Sequence, residues 1–213
     1  MRVAHRGRAP RVHPDATVAP GAILSGDVVV DAGARILHGA VLTAEDGQVR
    51  IGPNTVVMEH ALVRGRAGHP ALVGADVMIG PHAHVNGARV GDRVFVATGA
   101  AIFPGAELGD DSEVRINGVV QVNTVLPAGA LVPIGWVAVG SPASILSPDR
   151  HDEIWAIQRE LDFVHTVYGD PRADGMAEIM RRQSAFFAAH DHDVVLSDDE
   201  ASGDEAPDAE RTV

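Results

Sequence analysis

The chain has no cysteine, which excludes disulfides, thiolate metal ligands and cysteine nucleophiles, and favours a nitrogen and oxygen metal site over a thiolate one. Aromatic residues make up only 4% of a chain that is 46% hydrophobic, so Val, Ile, Leu and Ala must fill the core in narrow, regular layers. No stretch reaches the roughly 20 consecutive apolar residues that a membrane helix needs. A net charge of −12 excludes a broad basic surface, so neither nucleic acid nor an anionic membrane is an expected partner. The four arginines between Met1 and Pro14 precede no apolar signal core, and residues 1–11 therefore read as a flexible arm rather than a secretion signal. Cytoplasm is the default compartment.

What is present is a repeat. Branched apolar residues recur every six positions at Val18, Leu24, Val30 and Ile36, then at Ile51, Val57 and Val63, and again at Val73, Ile79 and Val85. One residue is skipped before Val90, after which Val96, Ile102, Leu108, Val114, Val120, Leu126 and Val132 complete the series. Many of these residues are followed by glycine, as in Ile51-Gly52, Val73-Gly74, Ile79-Gly80, Val90-Gly91 and Leu108-Gly109. No helical stretch separates the hexads, which excludes a doubly wound α/β fold, and they follow one another too closely for an antiparallel meander. Stacked coils of three short strands, each turning its leading apolar residue inward, satisfy the pattern.

The pattern changes at Pro148-Asp149, where proline and acids mark a helix start. Ile154, Trp155, Ile157, Leu161 and Val164 recur at helical spacing, and Met176, Ile179, Met180, Phe186 and Phe187 support a second helix, so residues 148–196 read as a helical appendage with Trp155 and the methionines packed inward. Residues 197–213 read as an acidic disordered tail. The run His190-Asp191-His192-Asp193 is a weak metal-binding candidate beside its reading as polar surface.

In a stacked solenoid, like positions three hexads apart become neighbours. That rule stacks His60 on His82 and Arg64 on Asn86, with residues 66–70 as a projecting loop nearby. His84, two residues beyond His82, would share its side of an extended segment. His60, His82 and His84 thus form a candidate metal set for zinc, iron or cobalt, with one coordination position left for water. Solvent-exposed histidines, or a general base working without metal, are the alternatives. Glu59 and Glu45 are the nearest carboxylates, each able to take up a proton, orient an imidazole or neutralise Arg64.

The stretch Ile51-Gly52-Pro53-Asn54-Thr55 through Ile79-Gly80-Pro81-His82-Ala83-His84-Val85-Asn86-Gly87, with the later Leu126-Pro127-Ala128-Gly129-Ala130 and Val137 to Ala143, resembles gamma-class carbonic anhydrases and the wider hexapeptide-repeat family. The resemblance implies a left-handed parallel β-helix of hexapeptide repeats over residues 12–147, with C-terminal α-helices, assembled as a homotrimer. It also implies a divalent metal held by three histidines shared across the subunit interface. Matched residue by residue, those positions hold Arg64, Pro81 and Asn86. Pro81 carries no ligand, and Arg64 stays protonated with no lone pair to give. The family arginine and aspartate fall at Thr43 and Glu45, and its Gln-Asp pair at Met58 and Glu59.

Conventional carbon dioxide hydration is therefore expected to be lost. Three readings follow. In the first the protein is a scaffold or small-anion binder, with Arg64 and Asn86 facing a carboxylate or similar ligand. In the second it is a repurposed enzyme, with His82, His84 and Glu59 as catalytic candidates and His60, His82 and His84 as metal candidates. The third is an acyltransferase of the hexapeptide type, with His82 or His84 as base.

Overall fold

A computed structural model describes residues 1–168 and 175–197. Three sheets of ten, seven and seven strands, parallel except where the two edge strands of the ten-stranded sheet pair antiparallel, wind into a left-handed three-sided β-helix of very short strands. The hexad residues are the reason it closes. Leu24, Val30, Ile36, Ile51, Val57, Val63, Ile79, Val85, Val96, Ile102, Val114, Val120, Leu126 and Val132 are at most 1% exposed and form one continuous core. Each pairs with its counterpart one coil away, as Val63 does with Val85 and Ile79 with Val96. The interstrand spacing is then about 4.8 Å.

The corners explain another part of the sequence. His60 and His82 have φ of 59° and 56°, a left-handed conformation in which histidine is one of the tolerated side chains. They occupy the corner between the third face and the ten-stranded face. Gly39 lies one coil below His60, and a Cβ added there would meet the His60 Nδ1 at 2.4 Å. Glycine is required at that step because φ is +73° and because the next imidazole lies across it.

Beyond the β-helix, α1 (His151–Gln158), α2 (Phe163–Tyr168) and α3 (Gly175–Phe187) carry the chain back toward its beginning. Asn123 Nδ2 donates to the Leu161 carbonyl at 2.9 Å, and Arg66 Nη1 donates to the Val167 carbonyl at 2.8 Å. Arg6 then donates to the Phe186 carbonyl and stacks on its ring. Finally Val194–Val195 pairs antiparallel with Arg2–Ala4 and becomes the outermost strand of the ten-stranded sheet. Among the described residues, no helix is long and apolar enough to cross a membrane.

Three expectations need correction. Residues 1–11 are not an arm, because Val3 points inward at 6% exposure and Arg2–Ala4 pairs with Ile23–Ser25 on one side and with Val194–Val195 on the other. The appendage does not end as a helix but as that paired strand. Trp155 is 53% exposed, and Met176 and Met180 are exposed as well. The short α1 turns Ile154 inward, and at about 100° per residue its neighbour Trp155 faces away. Apart from exposed Ser197, the acidic segment 197–213 lies outside the described residues.

Burial separates two substitutions. Ile79→Ala removes a fully buried side chain and is expected to cost about 2–5 kcal/mol, whereas Trp155→Ala is expected to stay within about 0.5 kcal/mol. Denaturant unfolding of the two variants checks the difference.

Candidate functional site

Because strands in one face stack in register, the residues that point outward also form columns. On the ten-stranded face, Ser25 pairs with Thr43, Thr43 with Arg64, and Arg64 with Asn86. Beside this column His84 pairs with Leu62 below and Ala101 above. Ser25, Thr43 and Asn86 are each 6% exposed, an unusual concentration of buried polarity on the outside of a solenoid. Ser25 Oγ, Arg64 Nε, His84 Nε2 and Asn86 Oδ1 are all buried without a hydrogen-bond partner in the chain. Each such group costs roughly 1–3 kcal/mol when left unsatisfied. Part of the Arg64 side chain remains open to solvent.

Glu45 joins this column to a second cluster. Its carboxylate is 4% exposed, accepts from Thr43 Oγ1 at 3.0 Å, and lies 2.9 Å from His190 Nε2. Arg64 Nε is 3.9 Å from Glu45, close enough for attraction but outside hydrogen-bond range, so the guanidinium is not committed to it. On the far side, one Asp193 carboxylate binds both imidazoles. Its oxygens lie 2.6 Å from His5 Nδ1 and 2.8 Å from His190 Nδ1. The two rings stack at 4.3 Å between centroids and 22° between planes. His5 is 2% exposed, and its Nε2 has no partner.

The electrostatics follow from these contacts. The hydrogen bond to Asp193 raises the His190 pKa above its ordinary value, with Glu45 adding to the effect and burial opposing it. Burial alone would raise the Asp193 pKa, but the hydrogen bonds from His190 and His5 bring it below the usual carboxylate value. His84 moves the other way. Burial lowers its pKa first, and the nearby Arg64 charge lowers it further, which leaves a neutral imidazole at pH 7.

The expected stacking of His60 on His82 is present, at 5.2 Å and 12°, and so is the pairing of Arg64 with Asn86. The proposed metal set, His60 with His82 and His84, does not assemble within one chain. Among the described residues, the group of three whose ligand atoms lie within 4.8 Å of one another is His5, Glu45 and His190. The reason is local: His82 sits in a left-handed corner, so the alternation that would align it with His84 does not apply. Glu59 sits at the same corner, half-buried, where its backbone carbonyl accepts from the His82 N–H at 3.1 Å. His5 was absent from the expected site because residues 1–11 were read as an arm. His190 and Asp193 lie within the acidic-histidine run noted above, and the apolar Val194-Val195 that follows was the signal that this run ends in a strand.

No protein-family model matches the chain. Over 105 residues it is 34% identical to gamma carbonic anhydrase 1, mitochondrial, of Arabidopsis thaliana, an alignment covering 46% of this chain and 38% of that protein. Over 111 residues it is 32% identical to the carnitine operon protein CaiE of Escherichia coli, covering 52% and 57%. These matches span only part of either relative's length and support distant homology to the gamma-carbonic-anhydrase and hexapeptide-repeat proteins. Among solved structures, the Francisella novicida UDP-N-acetylglucosamine acyltransferase is similar with a TM-score of 0.45 and 17% identity over 85% of each chain. A likeness of that depth carries nothing about activity.

The depressed His84 pKa has a testable sign. As pH falls below about 6.5, the unfolded chain protonates this imidazole before the folded one does, so His84 makes the fold less stable toward acid. NMR titration, with the resonance identified by its loss in His84→Gln, is expected to place the midpoint below the ordinary histidine value. Arg64→Gln is expected to move it upward only in part, because burial is the larger cause.

Proposed function

We propose that the protein is a repurposed enzyme of the hexapeptide-repeat line that has given up conventional carbon dioxide hydration and acts on a small carboxylate-bearing substrate. The observation that carries this reading is the set of buried, unpartnered atoms on two adjacent coils: Arg64 Nε, Asn86 Oδ1 and His84 Nε2. Arg64 would take the carboxylate by charge-assisted hydrogen bonds. Asn86 Oδ1 is an acceptor, and a neutral His84 accepts at Nε2 when its proton is on Nδ1, so a ligand with a hydroxyl or amine beside its carboxylate matches both. His84, uncharged at pH 7, is then the group that receives the donor's proton.

The loss of carbon dioxide hydration rests on the residues at the family's ligand positions. Arg64 and Asn86 are paired neighbours on one face, while Pro81 lies at the corner, and none of the three supplies an imidazole. We also propose a homotrimer formed through the third face, whose outer column runs through Val56, Met78 and Phe95. Solution mass measurement is expected to give three chains, and a stable monomer at micromolar concentration would contradict it.

Thermal-shift and calorimetric titrations with acetate, bicarbonate, glycolate and glycine test the substrate class. Glycolate or glycine is expected to bind more tightly than acetate, and Arg64→Ala is expected to weaken that binding at least tenfold. Equal weak responses to all four, unchanged by Arg64→Ala, would refute the reading.

A further inference from the structure

We propose that His5, His190 and Glu45 form a binding site for a divalent transition metal of the zinc class, built only when the C-terminal strand docks on the first coil. This goes beyond the substrate reading and requires neither Arg64 nor Asn86 as a ligand.

The orientation of the two imidazoles is the main argument. Both Nδ1 atoms are held by the oxygens of one carboxylate, Asp193, at 2.6 and 2.8 Å. The rings stack only 22° from parallel, and with each Nδ1 on Asp193 the two Nε2 atoms are the ring nitrogens left for a further partner. His190 Nε2 faces the Glu45 carboxylate at 2.9 Å. His5 Nε2 is buried and has no partner at all. A carboxylate on the remote nitrogen of an imidazole is the arrangement that fixes the tautomer of a metal-ligating histidine and raises its basicity. Here one carboxylate does this for two histidines.

The donor set agrees with the chemistry. Candidate ligand atoms of His5, Glu45 and His190 all lie within 4.8 Å of one another, so a modest contraction would bring them around one ion. Two imidazole nitrogens and a carboxylate oxygen suit zinc, cobalt or ferrous iron and leave a position open. Two carboxylates, Glu45 and Asp193, balance a divalent charge at the cluster, which lowers the cost of placing the ion beside buried groups. A cleft of about 360 Å³ whose lining includes His5, Arg6, Arg8, Asp27 and Glu45 adjoins the cluster. Among the described residues, His60 and His82, exposed at their corner, carry no such orienting carboxylate.

Cobalt(II) is the probe, because its visible absorption reports tetrahedral nitrogen and oxygen coordination directly. The full chain, freed of metal with chelator and dialysed, is titrated with cobalt and then with zinc as competitor. One cobalt per chain is expected, displaced by zinc. Glu45→Gln and His190→Gln are expected to abolish the visible bands, while Asp193→Asn is expected to weaken binding by about 10–100-fold. His60→Ala with His82→Ala is expected to leave it unchanged. Circular dichroism establishes that each variant is folded, and His5→Ala is left aside because that ring is fully buried. Absence of stoichiometric cobalt and zinc binding by the folded chain, or binding unaffected by both His190→Gln and Glu45→Gln, would overturn the proposal.

Discussion

The rest of the structure depends on the register of parallel coils. Once a hexad residue turns inward, the backbone ladder decides which side chain will sit above it, about 4.8 Å away. That constraint builds the aliphatic core from Leu24 to Val132 and equally builds the outward columns. An outward residue on one coil therefore meets the residue at the same place on the next, whether or not the two are close in sequence. Thr43, Arg64 and Asn86 are neighbours for this reason alone.

The second determinant is the return of the chain. The helices pass the coils in reverse order, held successively at Asn123, Arg66 and Arg6, and the last strand completes the edge of the ten-stranded sheet. This delivers His190 and Asp193 to His5 and Glu45. The result is a hydrogen-bonded run from Glu45 through His190 and Asp193 to His5, with Arg64 beside it at 3.9 Å from Glu45. A buried carboxylate such as Glu45 is tolerable because Thr43 and His190 satisfy it, and His5 because Asp193 holds it. The corner histidines His60 and His82 remain a stacked pair apart from this cluster.

The solenoid was legible because its period is short and its inward residues are unambiguous. Hexad arithmetic placed Arg64 on Asn86 and His60 on His82 without any structure. It failed for His82 and His84, where a left-handed corner interrupts the alternation that an extended segment would give. It had no access to the meeting of His5 with His190 and Asp193, which come from opposite ends of the described chain. The pairing of Arg2–Ala4 with Val194–Val195 involves two very short strands whose contact follows from tertiary return rather than from any local pattern. Trp155 misled for a simpler reason: one apolar residue beside another on a short helix cannot share its buried side.

The central claim is that the C-terminal strand docks on the first coil and so creates the cluster. The absence of cysteine makes one measurement decisive. Ala4 and Val194 are direct partners across that antiparallel pair, where Cα atoms stand about 5.5 Å apart, a separation compatible with a disulfide. The double variant Ala4→Cys with Val194→Cys should close a single intramolecular disulfide on mild oxidation of the folded protein, detected by mass and by altered gel mobility. Free thiols that persist in the native state, or cross-links only between chains, would contradict the docking and with it the site that depends on it.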